Sequence, residues 1–185
     1  MDTRPYHHGA LRPALLEAAE QALERDGPER LSLRAIARAA GVSHAAPAHH
    51  FGDLRGLMTA VAAAGFQRFT QSLQEAATTS EKPLQALGRA YVRFARTHPG
   101  LFLLMFRSNM LDGDDEGLQA AKAAAFGTLA QVAAAGEPPL DGAGQPARPL
   151  AWWCLVHGFA MLLLDGRLPS EPGPDQLLDA VLNAD

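Results

Sequence analysis

The stretch Leu31–Phe51, LSLRAIARAAGVSHAAPAHHF, admits few folds. Leu33, Ile36, Ala37 and Ala40 recur at i, i+3, i+4 and i+7, which is one apolar face of a helix. Ala37 keeps that face thin, so a second helix can approach closely. Gly41 stops the helix, because the turn that follows needs positive φ and glycine meets that need at little steric cost. Val42 plugs the corner, and Ser43 is placed to cap the next helix. Two short helices held at a fixed angle in this way make a helix-turn-helix, whose second helix can enter a DNA major groove. Agreement at several positions in register separates this pattern from a lone Ala-x-x-x-Gly. The competing reading is an αα-hairpin inside a helical bundle.

The flanks extend the pattern. Leu15, Ala18, Ala19 and Ala22 share one face of a helix over Leu11–Glu24, with Glu17, Glu20, Glu24 and Arg25 outside and Asp26-Gly27-Pro28 ending it. His50-Phe51-Gly52-Asp53 leads to Leu57, Met58 and Val61, which open a long helix from Leu54 to about Ala77. Further on the chain reads as helices throughout. Pro83 sits in the first turn of a helix that runs to about Thr97, with Leu87, Tyr91, Phe94 and Ala95 inward. His98-Pro99-Gly100 is a turn, Leu101–Arg107 a short apolar helix, Asp112–Glu116 an acidic loop or helix start, and Leu118–Ala135 an alanine-rich helix. Gly136–Pro149, rich in glycine and proline, reads as a disordered loop. Helices at about Leu150–Leu164 and Asp175–Ala184 complete an all-α chain with no internal repeat.

These elements resemble the TetR family of bacterial one-component regulators along the whole chain. That family has one helix before the helix-turn-helix, a His-Phe or Tyr-Phe pair closing it, and a short linker into a long connecting helix. Tyr6-His7-His8-Gly9 resembles the entry of a subgroup whose ligand domain carries a Trp and then His-Gly on a late helix, here Trp153-Cys154-Leu155-Val156-His157-Gly158. The resemblance implies an N-terminal three-helix DNA-binding domain over 1–53 and a helical ligand-binding and dimerisation domain over 54–185. It also implies a homodimer that binds a double-stranded DNA operator, usually as a repressor, and is released by a small-molecule effector.

Composition sets the remaining bounds. A chain of 185 residues with 48% apolar content has room for a packed core. No apolar run is long enough to span a membrane, and the polar, basic start lacks the core of a secretion signal. The single cysteine, Cys154, excludes an internal disulfide, fits a reducing cytoplasm and reads as buried packing. The chain has a formal charge of −4, yet residues 1–55 carry seven arginines against seven acids. A DNA-binding head is expected to be basic, so any footprint must come from clustering on one face.

Ser43 to His50 is the expected recognition helix, with Ala46, Pro47 and His50 inward and His44, Ala45, Ala48 and His49 outward. A histidine can meet a base edge or a phosphate, and the Ala45 methyl can meet a thymine methyl. Ser32, Ser43 and Arg34 are placed to reach phosphates at the two helix starts, though capping alone also explains the serines. Arg4 and His7 form a possible arm ahead of the first helix. Two departures stand out. The family usually has Tyr at the position of Ala48 and Lys at that of Leu54, both contacting phosphate, and Arg55 is the available replacement for the second. In the other half, Phe102, Met105, Phe106, Trp153, His157 and Met161 are candidate effector contacts, with Met110, Phe126 and Trp152 beside them. Such residues at helical spacing are also ordinary core, and His157 is open to either role. The pairs His7-His8 and His49-His50 point apart on a helix and lack a completing ligand, so no metal site or cofactor is expected. No catalytic motif occurs, and no enzyme activity is expected. The alternative function is a ligand-binding or interaction protein of this fold that has lost operator binding.

Overall fold

Over the residues described by the computed structural model, 11–107, 109–135 and 147–184, every regular element is helical. Nine α-helices occur among them: α1 (Leu11–Asp26), α2 (Leu33–Ala39), α3 (Ala46–Phe51), α4 (Leu54–Thr78), α5 (Pro83–Thr97), α6 (Pro99–Arg107), α7 (Glu116–Ala133), α8 (Ala147–Leu164) and α9 (Pro174–Leu182). The expected all-α class holds. Two boundaries differ for the same physical reason. α6 starts at Pro99 and α8 at Ala147, because a proline in the first turn forfeits only an amide that has no helical partner there. His98-Pro99-Gly100 is therefore the start of a helix, and Arg148 and Pro149 are helical. The rest of the predicted disordered loop, 136–146, lies outside the described residues.

The chain forms two compact units, Met1–Gly65 with Gly100–Gln119, and Phe66–Pro99 with Ala120–Asp185. In the first, α1 packs on α2 and α2 on α3. Leu15, Ala19, Leu23, Ile36, Ala37, Leu57, Met58, Leu101, Phe102 and Leu104 are among its fully buried residues. Gly65 lets α6 approach α4, since a methyl there would stand 2.9 Å from both Leu101 Cδ1 and Met105 Sδ. Glu24 departs from its expected outward place. Its carboxylate accepts from the amides of Gly100 at 2.8 Å and Leu101 at 2.9 Å, which are first-turn donors of α6 with no partner inside the helix. Negative charge at a helix N-terminus is favoured by the helix dipole as well.

In the second unit, α5 packs along α8 and also touches α9. Leu87, Tyr91, Phe94 and Ala95 are buried, as their spacing predicts. Phe69 sits edge-on to both Tyr91 and Phe94, with ring centroids 4.9 and 5.0 Å apart. Gly88 admits α9, because a Cβ there would lie 2.7 Å from Leu182 Cδ2. Exposed ion pairs Arg89–Asp179 at 2.7 Å and Arg96–Asp175 at 2.9 Å run alongside the same contact. Pairs this exposed contribute about 0–1 kcal/mol each, so apolar burial holds α9 in place.

Candidate DNA interface and effector site

The helix-turn-helix is built as its residues require. Ser32 caps α2, its hydroxyl oxygen accepting from Ala35 N at 3.3 Å. Gly41 takes φ +67°, and the amides of Gly41 and Val42 close the end of α2 on the carbonyls of Arg38 and Ala37. The cap of the second helix differs from expectation. α3 begins at Ala46, its N-cap is Ala45 without a side-chain cap bond, and Ser43 lies in the preceding turn. Pro47 decides this. A proline belongs in a first turn, which moves the helix start towards it and leaves Ser43 too early to cap. Ser43 instead accepts Ala46 N through its main-chain carbonyl at 3.1 Å, and its exposed hydroxyl is not used as a cap.

Ala46 and Pro47 face inward, while His44, Ala45, Ala48 and His49 are exposed, as the pattern predicts. His50 was expected inside and is exposed. The inward side of α3 is made by the small Ala46 and by Pro47. His50 stacks among its neighbours instead, edge-on to His49 at 5.5 Å and tilted against Phe51 at 6.2 Å. The Arg12 guanidinium lies over the Phe51 ring at 5.2 Å and ties α1 to α3.

The cations of this unit divide by role. Arg34 and Arg38 are exposed along α2. Arg25 pairs with Asp26 at 2.7 Å, and its hydrogen bond holds the Asp26 carboxyl below the usual carboxylate range. Arg55 donates through Nη2 to the Leu111 carbonyl at 3.0 Å. Asp53 caps α4 by accepting Gly56 N at 2.8 Å, and Leu54 at the same helix start is half-buried. Arg4 and His7 lie outside the described residues.

The six candidate effector contacts fall in two units. Phe102 and Met105 are buried in the first, and Phe106 is half-buried there with its ring 4.7 Å from that of Phe102. Trp153 and His157 are half-buried in the second, and Met161 is buried. Around the second group lies a polar cluster in apolar surroundings. Trp153 Nε1 donates to the Tyr91 hydroxyl at 3.3 Å, and that hydroxyl lies 2.9 Å from His157 Nδ1. An indole can only donate, so the phenol oxygen accepts from it, and the direction of the bond between the phenol and Nδ1 follows the His157 tautomer. Burial raises the Tyr91 phenol well above its ordinary value, against the opposing effect of the Trp153 bond, so the hydroxyl stays protonated and able to donate. Phe126 stacks edge-on to Trp153 at 5.5 Å. Tyr91 was legible as a core residue but not as a polar one. The available signal was general: a buried tyrosine hydroxyl needs a partner.

Tyr91→Phe should lower stability by about 1–3 kcal/mol, since it takes from the half-buried His157 Nδ1 and Trp153 N–H the hydroxyl that they share. Urea unfolding followed by circular dichroism measures this, and a loss below about 0.5 kcal/mol would mean the cluster carries no net hydrogen-bond energy.

Cys154 was expected to be buried and is exposed. It lies on a face of α8 with Leu150, Leu155 and Leu162, which are 42%, 38% and 45% exposed. Among the described residues no helix is long and apolar enough to cross a membrane.

Residues 15–61 match the model of bacterial regulatory proteins of the TetR family, and residues 84–184 match that of the tetracyclin repressor-like C-terminal domain. The chain is 26% identical over 157 residues to the HTH-type transcriptional regulator Rv0681 of Mycobacterium tuberculosis, covering 84% of this chain and 71% of that one. A solved protein of unknown function from Rhodococcus sp. RHA1 is 38% identical, with 98% of this chain and 96% of that chain covered and a TM-score of 0.82. The TetR-like regulator LfrR from Mycobacterium smegmatis, solved with proflavine, shares the fold at 20% identity and a TM-score of 0.67, with 93% and 92% covered. The family models span the helix-turn-helix and more than half of the chain, and so the chain belongs to the TetR family: it is a transcriptional regulator with a helix-turn-helix DNA-binding domain and a C-terminal ligand domain.

Proposed function

We propose that this protein is a homodimeric, effector-released repressor, with residues 1–53 as the operator-binding head and 54–185 as the ligand and dimerisation part. The observation that carries the reading is the surface of the second helix. Ala48 and His49, with His44 and Ala45 just before them, face solvent on a helix pinned by Gly41 and Pro47. Ser43, Ser32 and Arg34 flank it, and these are residue types that position a protein on phosphates. The Tyr91–Trp153–His157 cluster is the natural centre of an effector site, which supports the subgroup reading of the Trp…His-Gly element. LfrR in complex with proflavine supports a small molecule as effector, although proflavine itself is a property of that protein. An effector acts by favouring a spacing of the two heads that no longer fits successive major grooves.

A gel shift with the protein's own upstream DNA, at low and moderate salt, tests the reading. His49→Ala and Ser43→Ala should each weaken the specific complex by about 1–3 kcal/mol, as for one good contact. Unchanged footprints with both variants would reject α3 as the recognition helix. The second reading, the same fold without operator binding, is favoured by Ala48, by Leu54 and by the formal neutrality of residues 1–55. Absence of any specific shift at low salt would select it.

A further inference from the structure

Residues 1–55 are formally neutral, with seven arginines against seven acids, yet they hold five of the seven histidines of the chain. Three of those five sit on or just before α3. His44 precedes the helix, His49 and His50 end it, and all three are exposed. The His49 and His50 rings lie edge-on, with centroids 5.5 Å apart. Among the described residues none of the three side chains makes a hydrogen bond or an ion pair. The neighbouring elements carry few charges that could hold them. On α2 these are Arg34 and Arg38. On α1, Arg12 lies over the Phe51 ring, Glu17 accepts from Gln21, Glu24 holds the start of α6, Arg25 pairs with Asp26, and Glu20 is engaged elsewhere. At the start of α4, Asp53 accepts Gly56 N and Arg55 donates to the Leu111 carbonyl. Ala48 and Leu54 add no charge.

We propose that His44, His49 and His50, once protonated, supply the phosphate-neutralising charge of the α3 surface, so that DNA binding takes up protons and strengthens in mild acid; this rests on the operator reading of α3. Histidine is the side chain whose ordinary titration falls between about pH 5 and 8. A phosphate beside an imidazolium favours the charged form, so a bound ring holds its proton to higher pH than a free one. The contribution is therefore complete below the titration of the free ring and is lost as the pH rises through that of the bound ring. Two imidazolium rings at the His49–His50 separation repel each other, and a phosphate set against the pair offsets that repulsion. A fixed arginine in these positions attracts phosphate at every physiological pH, whereas a histidine does so only when protonated.

Fluorescence anisotropy of a labelled duplex of the protein's own upstream DNA, titrated with the full chain at constant ionic strength, tests this. The specific complex should be at least tenfold tighter at pH 6 than at pH 8. The plot of log affinity against log salt should be steeper at pH 6 by about 0.9 for each phosphate that a histidinium neutralises. The triple variant His44→Gln, His49→Gln, His50→Gln should bind at pH 6 about as weakly as the natural chain binds at pH 8, with the dependence on pH flattened. His49→Arg carries a fixed charge and should bind at pH 8 more tightly than the natural chain, with a smaller change between the two pH values. Unchanged circular dichroism and melting at both pH values show that the variants fold. Equal affinity at pH 6 and 8, equal salt slopes, or a pH dependence that survives in the triple variant would overturn the assignment while the specific complex, and the operator reading with it, stands. Absence of a specific complex at both pH values would overturn the two together.

Discussion

Leu155→Glu should turn a dimer into a monomer of 19.7 kDa by light scattering at micromolar concentration. Helix α8 is apolar nearly all round. Val156, Phe159, Ala160 and Met161 are its buried side, while Leu150, Leu155 and Leu162 remain exposed in the single chain. At about 100° per residue, positions 150, 154, 155, 158 and 162 fall within roughly 140° of arc, so they form one stripe rather than scattered residues. A helix apolar on two sides must be buried on both. In the proposed homodimer a second copy of the same stripe, joined by α9, would provide that burial through a twofold contact, and a twofold pair matches a palindromic operator. A carboxylate in the middle of the seam would be desolvated against its own copy. Operator affinity should then fall by about 10²–10⁴-fold, the usual gain from linking two binding heads. Leu155→Met, which keeps the apolar contact, should stay dimeric and bind normally. A wild-type mass equal to one chain would reject both the seam and the two-headed mechanism.

Ala48→Tyr combined with Leu54→Lys should strengthen operator binding by about tenfold or more at low salt. Ala48 is exposed in the middle of α3, and Leu54 opens α4 beside the Asp53 cap. Each substitution adds a donor in a place where a phosphate is expected. One charge-assisted hydrogen bond is worth about 1.5–3 kcal/mol. The lysine also adds one neutralised phosphate, so the plot of log affinity against log salt should steepen by about 0.9. Arg55 does not make the lysine redundant, because its guanidinium is bonded to the Leu111 carbonyl. Half-burial of Leu54 is no obstacle, since a lysine stem can cover the same apolar surface while its ammonium reaches water. Gains confined to one operator sequence, or a flat salt slope, would show that these positions do not lie on the backbone of the DNA.

The parts of this molecule that were legible in the sequence are those fixed by near neighbours. Ile36, Ala37 and Gly41 specify the first helix of the motif and its end within a few residues, and Leu87, Tyr91, Phe94 and Ala95 specify the inner face of α5 by their spacing alone. The errors have physical causes. Ser43 has the chemistry of a cap, but Pro47 sets the helix start and overrides it. Cys154 sits in an apolar helix, and periodicity alone cannot say which of its apolar residues face the interior of the unit and which are exposed. Helical phase puts His50 on the side of Ala46 and Pro47, yet in a helix of six residues the last turn is exposed. The bonds of Glu24 to α6 and of Tyr91 to His157 join residues 76 and 66 positions apart, and no local pattern encodes such a partner.

The first compact unit is discontinuous: the chain leaves it after Gly65 and returns at Gly100. During synthesis α1, α2 and α3 emerge well before the segment that finishes their core. Leu101, Leu104 and the two amides that Glu24 holds are made only after a long stretch belonging to the other unit. A nascent chain therefore carries an incomplete first unit with its apolar side open, and that unit cannot close as an N-terminal domain folding first would. The same geometry bears on dissection of the gene. A fragment ending at residue 65 omits α6 and should be poorly ordered and prone to aggregate, whereas one that continues through residue 119 carries every segment of the unit.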